Sequence, residues 1–222
     1  MPPEVSRETW DKFELYLNLL RDWQTRMNLV APSTLPDAMR RHIDDSAQLV
    51  DLLAETGTLP ARPTWIDLGS GAGFPGLVIA LITDVDMHLV ESRRKKCLFL
   101  EAVRDRLDLQ ARVTIHNRRA EDMTGPAADY ISARAFAPLP KLFDWGLPFA
   151  AQDTLWLLPK GRGVDVEIEA AKRDFAFDLS RHASRTDPEA SILEIAHVRR
   201  RIGRQKGQGP SRKPAHSRST AS

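Results

Sequence analysis

An α/β fold is what this sequence predicts, a doubly wound, mostly parallel seven-stranded sheet with an N-terminal helical extension. Three observations carry that expectation. The front of the chain has helical apolar periodicity, seven short apolar runs after residue 63 alternate with helical patterns, and a cluster of glycines directly follows the first of those runs.

Taken in order, Trp10, Phe13, Leu17, Leu20, Trp23 and Met27 step by three or four and draw one stripe on a helix, which Asn28 and the succeeding LVAPSTLP end. A second helix is expected from near Pro36 through DAMRRHIDDSAQLVDLLAE, stopping at Gly57. Only the short TGTLPARP separates this pair from the first apolar run, so residues 1–60 read as a cap packed on a core of residues 61–200. Strands are expected at 64–68, 87–91, 112–116, 129–134, 154–158, 175–180 and 191–198, and helices at about 75–83, 93–107, 138–148 and 164–173. Buried strands joined by crossover helices imply a parallel sheet covered on both faces, with right-handed crossovers. The last two strands have no helix between them, which predicts an antiparallel pair at one edge.

The net charge of +2 is unevenly placed. Residues 199–222 hold eight of the 32 Lys+Arg and none of the 30 Asp+Glu, leaving 24 cations against 30 anions, a net −6, on the other 198 residues. A tail rich in Gly, Ser, Pro and Arg cannot bury enough apolar surface to offset its ordering entropy, so residues 201–222 are expected to be disordered. Two readings of it stand: an arm that binds polyanions through counterion release, or a solubilising extension. The single cysteine, Cys97, excludes an internal disulfide and a multi-cysteine metal site, and its helical spacing to Leu100 reads as packing. The six histidines lack ligand spacing, so no metal site is expected. No apolar run reaches the roughly 18 residues of a membrane span, and MPPEVSRETWDKF lacks the apolar core of a signal peptide. A soluble, cytoplasmic protein with no membrane partner is expected.

The stretch WIDLGSGAGFPGLVIA at 65–80 has two parses. Gly71, Gly73 and Gly76 form a GxGxxG, which suits a dinucleotide pyrophosphate at a helix N-terminus. Gly69, Gly71 and Gly73 form a GxGxG directly after Asp67, where an acidic strand end suits an ammonium and disfavours a pyrophosphate. The second parse favours S-adenosylmethionine. A P-loop is excluded because no Gly-Lys-Ser/Thr comes after the glycines. Glu91 ends the second strand about twenty residues on, where a carboxylate can accept hydrogen bonds from ribose hydroxyls of either cofactor.

The segments NLVA at 28–31, RHIDDS at 41–46, DLGSGAGFPG at 67–76, ESRRKKCLFL at 91–100, RRAED at 118–122, ARA at 133–135 and PKG at 159–161 occur in an order that resembles the ribosomal RNA small-subunit methyltransferase G family, also called glucose-inhibited division protein B. The resemblance spans about residues 10–200. It implies a Rossmann-like sheet with a helical extension, and methyl transfer from S-adenosylmethionine to N7 of one guanine in 16S ribosomal RNA, releasing S-adenosylhomocysteine. The implied partner is that RNA or the small ribosomal subunit, and a monomer is expected. Carried over, Gly69 and Phe74 line the cofactor loop, Glu91 takes the ribose, Ala120 and Glu121 the adenine end, and Arg134 the pocket beside the methyl. Gly71 and Gly73 join them because a side chain there would occupy the ligand's space.

Guanine N7 attacks through an in-plane lone pair without losing a proton, so no catalytic base is assigned and the enzyme's task is positioning. A cation develops on the purine, which makes Arg134 a positioning or phosphate-binding group. The run Arg93, Arg94, Lys95 and Lys96 would ordinarily be a solvated face; beside Glu91 it reads as phosphate contacts. Lys160, at the end of the fifth strand, is equally readable as a substrate contact or a cap. Asn28, His42, Asp45 and Ser46 read as structural hydrogen bonding in the cap in preference to RNA contacts, and RHASRTDPEA at 181–190 carries no assigned site. Two alternatives stand beside the leading function: a methyltransferase of this fold acting on tRNA or a small molecule, and a non-enzymatic RNA-binding protein. The pocket carboxylates argue against the latter.

Overall fold

The computed structural model describes residues 5–56 and 61–201. Gly57 and the expected disordered stretch after residue 201 lie outside the described residues. Seven strands, β1 (Thr64–Leu68), β2 (Asp86–Val90), β3 (Val113–His116), β4 (Ala128–Ser132), β5 (Ala150–Lys160), β6 (Phe175–Ala183) and β7 (Ser191–Arg200), form one sheet in the order β3-β2-β1-β4-β5-β7-β6. The first five pair in parallel, and β7 lies antiparallel between β5 and β6. The helix-free connection between the last two strands therefore does make an antiparallel edge pair, with β7 as its inner member.

Alternation along the strands divides the core between the two faces. Trp65, Met87, Leu89, Tyr130 and Leu157 face α3 (Gly76–Ile82), α4 (Arg94–Arg106) and the front helices, whereas Ile66, Leu68, Val90, Ile131, Trp156 and Leu158 face α5 (Leu139–Gly146) and α6 (Val164–Asp174). Crossovers on both faces make the sheet doubly wound.

The cap begins with α1 (Arg7–Gln24), whose N-terminus is capped by Ser6 Oγ accepting from the Thr9 amide. Phe13, Leu17 and Leu20 are buried as the stripe requires; Tyr16, absent from that stripe, is also fully buried. Gln24 ends the helix by accepting from the Leu29 and Val30 amides through one oxygen. The expected second helix is composite: a 3-10 segment over Pro32–Asp37, a π-helical turn over Met39–Asp44, then α2 (Asp45–Thr56). Prolines at 32 and 36 explain the irregular start, since neither can donate to an α-helical ladder.

Candidate active site

In an open parallel sheet, ligands bind beyond the carboxyl ends of the strands where the chain's direction of travel reverses. Here that place lies between β1 and β4, because the chain runs from β1 out to β2 and β3 and returns to β4 on the other side. A crevice of about 680 Å³ opens there. Gly69–Ala72 and Phe74 of the glycine turn line it, with Lys96, the strap from Arg134 to Pro138, Lys160, the cap residues Arg41, His42 and Asp45, and the β6–β7 connection.

The glycine turn is built by backbone. Gly69, Gly71 and Gly73 all have positive φ, at 70°, 59° and 89°, a region costly for residues with a Cβ. Each glycine answers a different neighbour. A Cβ on Gly71 would meet only the Gly69 carbonyl at 3.7 Å and Lys96 Nζ at 3.8 Å, so that face is open to a ligand. A Cβ on Gly69 would stand 2.2 Å from the Phe136 ring, and one on Gly73 2.5 Å from both Tyr16 Oη and Leu77 Cδ1. The expectation that ligand space explains Gly73 is thus corrected: protein packing requires it. Glu91, at the end of β2, accepts from the Gly71 amide through Oε2 at 3.1 Å and from the Arg93 amide through Oε1 at 2.7 Å, which ties the turn to the start of α4.

Asp67, read from sequence as the strand-end carboxylate facing an ammonium, is corrected as well. It pairs in register with Ser132 of β4 and points into the layer beneath the turn, fully buried. Oδ1 accepts from Ser132 Oγ at 2.7 Å, Ser132 Oγ accepts from Trp65 Nε1 at 3.0 Å, and Oδ2 has no hydrogen-bond partner. Burial raises its pKa to about 6 against the hydrogen bonds that favour its charge.

Arg134 leaves the end of β4 and is held by the cap. Nη1 donates to the Arg41 carbonyl at 3.1 Å and to Asp45 Oδ2 at 3.0 Å, Nη2 meets His42 Nδ1 at 3.1 Å, and the guanidinium lies 5.2 Å from the Phe74 ring centroid. Thr34 Oγ1 donates to the Ala31 carbonyl and so accepts from His42 Nε2, 2.9 Å away, which leaves Nδ1 to accept from Arg134. These partners assign the proton to Nε2, and a pKa lowered to about 3, by burial first and then by the charges of Arg134 and Arg41, keeps the ring neutral. Phe74 stacks on His42 at 4.7 Å and on Tyr16 at 5.0 Å, while Tyr16 Oη donates to the Ala72 carbonyl.

The sequence-assigned residues line the carboxyl ends of successive strands. Gly69–Phe74 come after β1, Glu91 after β2, Ala120 and Glu121 occupy a 3-10 turn after β3, and Arg134 comes after β4. Gly69, Gly71, Phe74 and Arg134 line the crevice; Gly73, the buried Glu91, the buried Ala120 and the exposed Glu121 do not. Of the basic run, Arg93, Arg94 and Lys95 are exposed, Arg94 pairs with Glu101 at 2.7 Å, and only Lys96 reaches the crevice. Lys160 donates to Glu167 Oε2 and to the Ala137 carbonyl, both at 2.8 Å, which is the capping arrangement of its two readings. The other lining cations are also neutralised, Arg134 by Asp45 and Arg41 by Asp187, whereas Lys96 has no ion pair among the described residues.

Several participants have no local signature. Thr186 donates to Asp45 Oδ1 and Asp187 accepts from Arg41, so the segment given no site role closes the crevice against the cap. Phe136 and Glu167 also line it. Cys97 is buried; burial lifts its thiol pKa to about 11, and Sγ donates to the Glu91 carbonyl at 3.3 Å.

The family model described as rRNA small subunit methyltransferase G matches residues 9–192. Proteins named ribosomal RNA small subunit methyltransferase G are similar along most of the chain. That of Parvibaculum lavamentivorans is 45% identical over 197 residues, covering 86% of this chain and 84% of its own; that of Paramagnetospirillum magneticum is 43% identical over 196, covering 88% and 92%. Among solved structures, a mutant of MtNAS in complex with S-adenosylmethionine aligns with TM-score 0.60 at 11% identity over 85% of this chain and 76% of its own. M. jannaschii TYW2 in complex with AdoMet aligns with TM-score 0.53 at 13% identity, over 72% and 76%. These two alignments speak to the fold alone. The sequence similarity is specific and nearly full-length, and the chain belongs to the rRNA small subunit methyltransferase G family.

Proposed function

We propose that this chain, acting as a cytoplasmic monomer, transfers the methyl group of S-adenosylmethionine to N7 of a guanine in 16S ribosomal RNA of the small subunit. The observation that supports the reading is the open face of Gly71, a positive-φ residue whose amide donates to Glu91 and which lines the crevice where the chain's travel reverses between β1 and β4. Family membership supplies the acceptor class. The residues present fit the cofactor. Gly69, Gly71 and Phe74 form the cradle, Glu91 keeps lone pairs for ribose hydroxyls beyond its two backbone contacts, and Ala120 and Glu121 stand one strand further out for the adenine. Gly73 acts indirectly, through the packing that shapes the turn.

S-adenosylmethionine supplies an electrophilic methyl on a positively charged sulfur. The guanine N7 lone pair forms the new C–N bond while the electrons of the broken C–S bond stay on sulfur, so positive charge moves to the purine. No proton leaves in that step, and the protein's contribution is alignment and exclusion of water. Arg134 is compatible with a nascent cation nearby because Asp45 pairs it at 3.0 Å and cancels most of its field. Lys96, exposed on one side and free of an ion pair among the described residues, is the cation suited to an RNA phosphate; Arg93, Arg94 and Lys95 extend that basic edge.

Small subunits lacking the modification, incubated with this protein and methyl-labelled cofactor, should acquire label at N7 of one guanine of 16S RNA, read by mass spectrometry of nuclease fragments. Label confined to tRNA or to small molecules would overturn the acceptor assignment. Gly71→Val should abolish S-adenosylhomocysteine binding in calorimetry while leaving a cooperative melt at a lowered midpoint, because its side chain enters the open face and strains the turn at φ 59°; unchanged affinity would remove the pocket assignment.

A further inference from the structure

We propose that the Phe136 ring is the platform on which the acceptor base stacks, an inference that rests on the base-methylation reading above. Among the described residues the exposed large apolar side chains are Leu98, Phe136, Val166 and Leu179, and of these only Phe136 lines the crevice. It is 38% exposed. The strap that carries it, between β4 and α5, has one left-handed residue and two side-chain anchors. Ala135 adopts φ 50°, a left-handed conformation uncommon for a residue with a side chain. Lys160 Nζ, only 10% exposed in its side chain, donates to the Ala137 carbonyl. Glu167 Oε2 accepts from both Lys160 and the Leu139 amide at 2.8 and 3.0 Å. A partly buried ion pair thus fixes a short loop whose outward product is one aromatic ring.

The ring's location is equally specific. It lies so close over Gly69 that a Cβ there would be 2.2–2.8 Å from three of its atoms, and it tilts against Trp145 at 5.3 Å between centroids. Gly69 and Trp145 hold the ring from two sides, and its exposed part is presented beside the cofactor cradle.

The chemistry gives such a ring a purpose. The N7 lone pair lies in the plane of the purine, so in-line attack requires that this plane contain the line from nitrogen through the methyl carbon to sulfur. A flat aromatic surface fixes the plane of the base and leaves its edges free, because stacking engages a direction perpendicular to the nucleophile. An aliphatic side chain of similar volume would fill the space without setting the plane.

The test compares wild type, Phe136→Leu and Phe136→Tyr on unmodified small subunits, with S-adenosylhomocysteine calorimetry and thermal melts in parallel. Phe136→Leu is expected to lower kcat/KM by roughly ten- to a hundredfold, the range that base–aromatic stacking supplies, without loss of S-adenosylhomocysteine affinity. Phe136→Tyr keeps the flat surface and should stay near wild type. Wild-type kcat/KM in Phe136→Leu, equal impairment of both variants, or a parallel loss of S-adenosylhomocysteine affinity would overturn the platform while leaving the guanine-methylation reading intact. Failure of the wild type to methylate guanine would overturn both.

Discussion

Tyr16 joins the cap to the glycine turn through one hydroxyl, which donates to the Ala72 carbonyl in a fully buried setting. Burial pushes its pKa well above the ordinary value, so it remains a donor throughout the working range. Tyr16→Phe leaves that carbonyl unsatisfied and should cost about 1–3 kcal/mol in denaturant unfolding, with weaker S-adenosylhomocysteine binding because the turn loosens. His42 has the opposite electrostatic character. It stays neutral in the folded chain to about pH 3 whereas its unfolded value is 6.5, so its contribution is present above pH 6.5 and is lost as pH falls from there toward 3. Asp67, raised from 3.8 to about 6, works the other way as pH falls through that interval. His42→Gln removes only the first effect, and its melting temperature should decline less than the wild type's between pH 7 and 5. The residues legible in sequence are those with local signatures: the glycines between two apolar runs, and Glu91 at a strand end. Asp45, some ninety positions before Arg134, and Thr186, farther still from Asp45, were illegible as partners because only the folded sheet brings them together.

At the level of elements, the short apolar run ahead of the glycines made β1 readable, and the lack of a helix after β6 revealed the antiparallel edge. The π-helical turn was not readable. Apolar spacing at Ile43, Ala47 and Val50 fits an ordinary helix, whereas the wider turn, with the Asp45 amide reaching back to the Arg40 carbonyl, carries Arg41 and His42 and leads into Asp45, the three residues that hold Arg134. β5 also runs longer than its apolar run, from Ala150 to Lys160, because β4 pairs with its start at Ala150 and β7 pairs along its carboxyl half as far as Lys160. α1 contributes Phe13, Tyr16, Leu17 and Leu20 to the same core as Leu77 and Phe99. Leu20→Ala should destabilise the protein by about 2–5 kcal/mol in urea unfolding; a change under half that would mean the helix adds little to the core.

For the whole molecule, two apolar clusters lie on opposite faces of one sheet, and only one of them includes the front helices. Removing residues 1–60 uncovers the side bearing Leu77, Val78 and Phe99, so the remaining chain should aggregate on expression instead of yielding a monomer by light scattering. The β6–β7 connection closes on the cap through Arg41–Asp187 and Asp45–Thr186, so the front and back of the sequence meet over the crevice. The chain's sole sulfhydryl lies on the buried side of α4 and resists ionisation, so maleimide reagents should leave the native protein unalkylated. A cysteine installed at outward-facing Leu98 would then be the single attachment point for a dye or spin probe, free of background from the parent molecule.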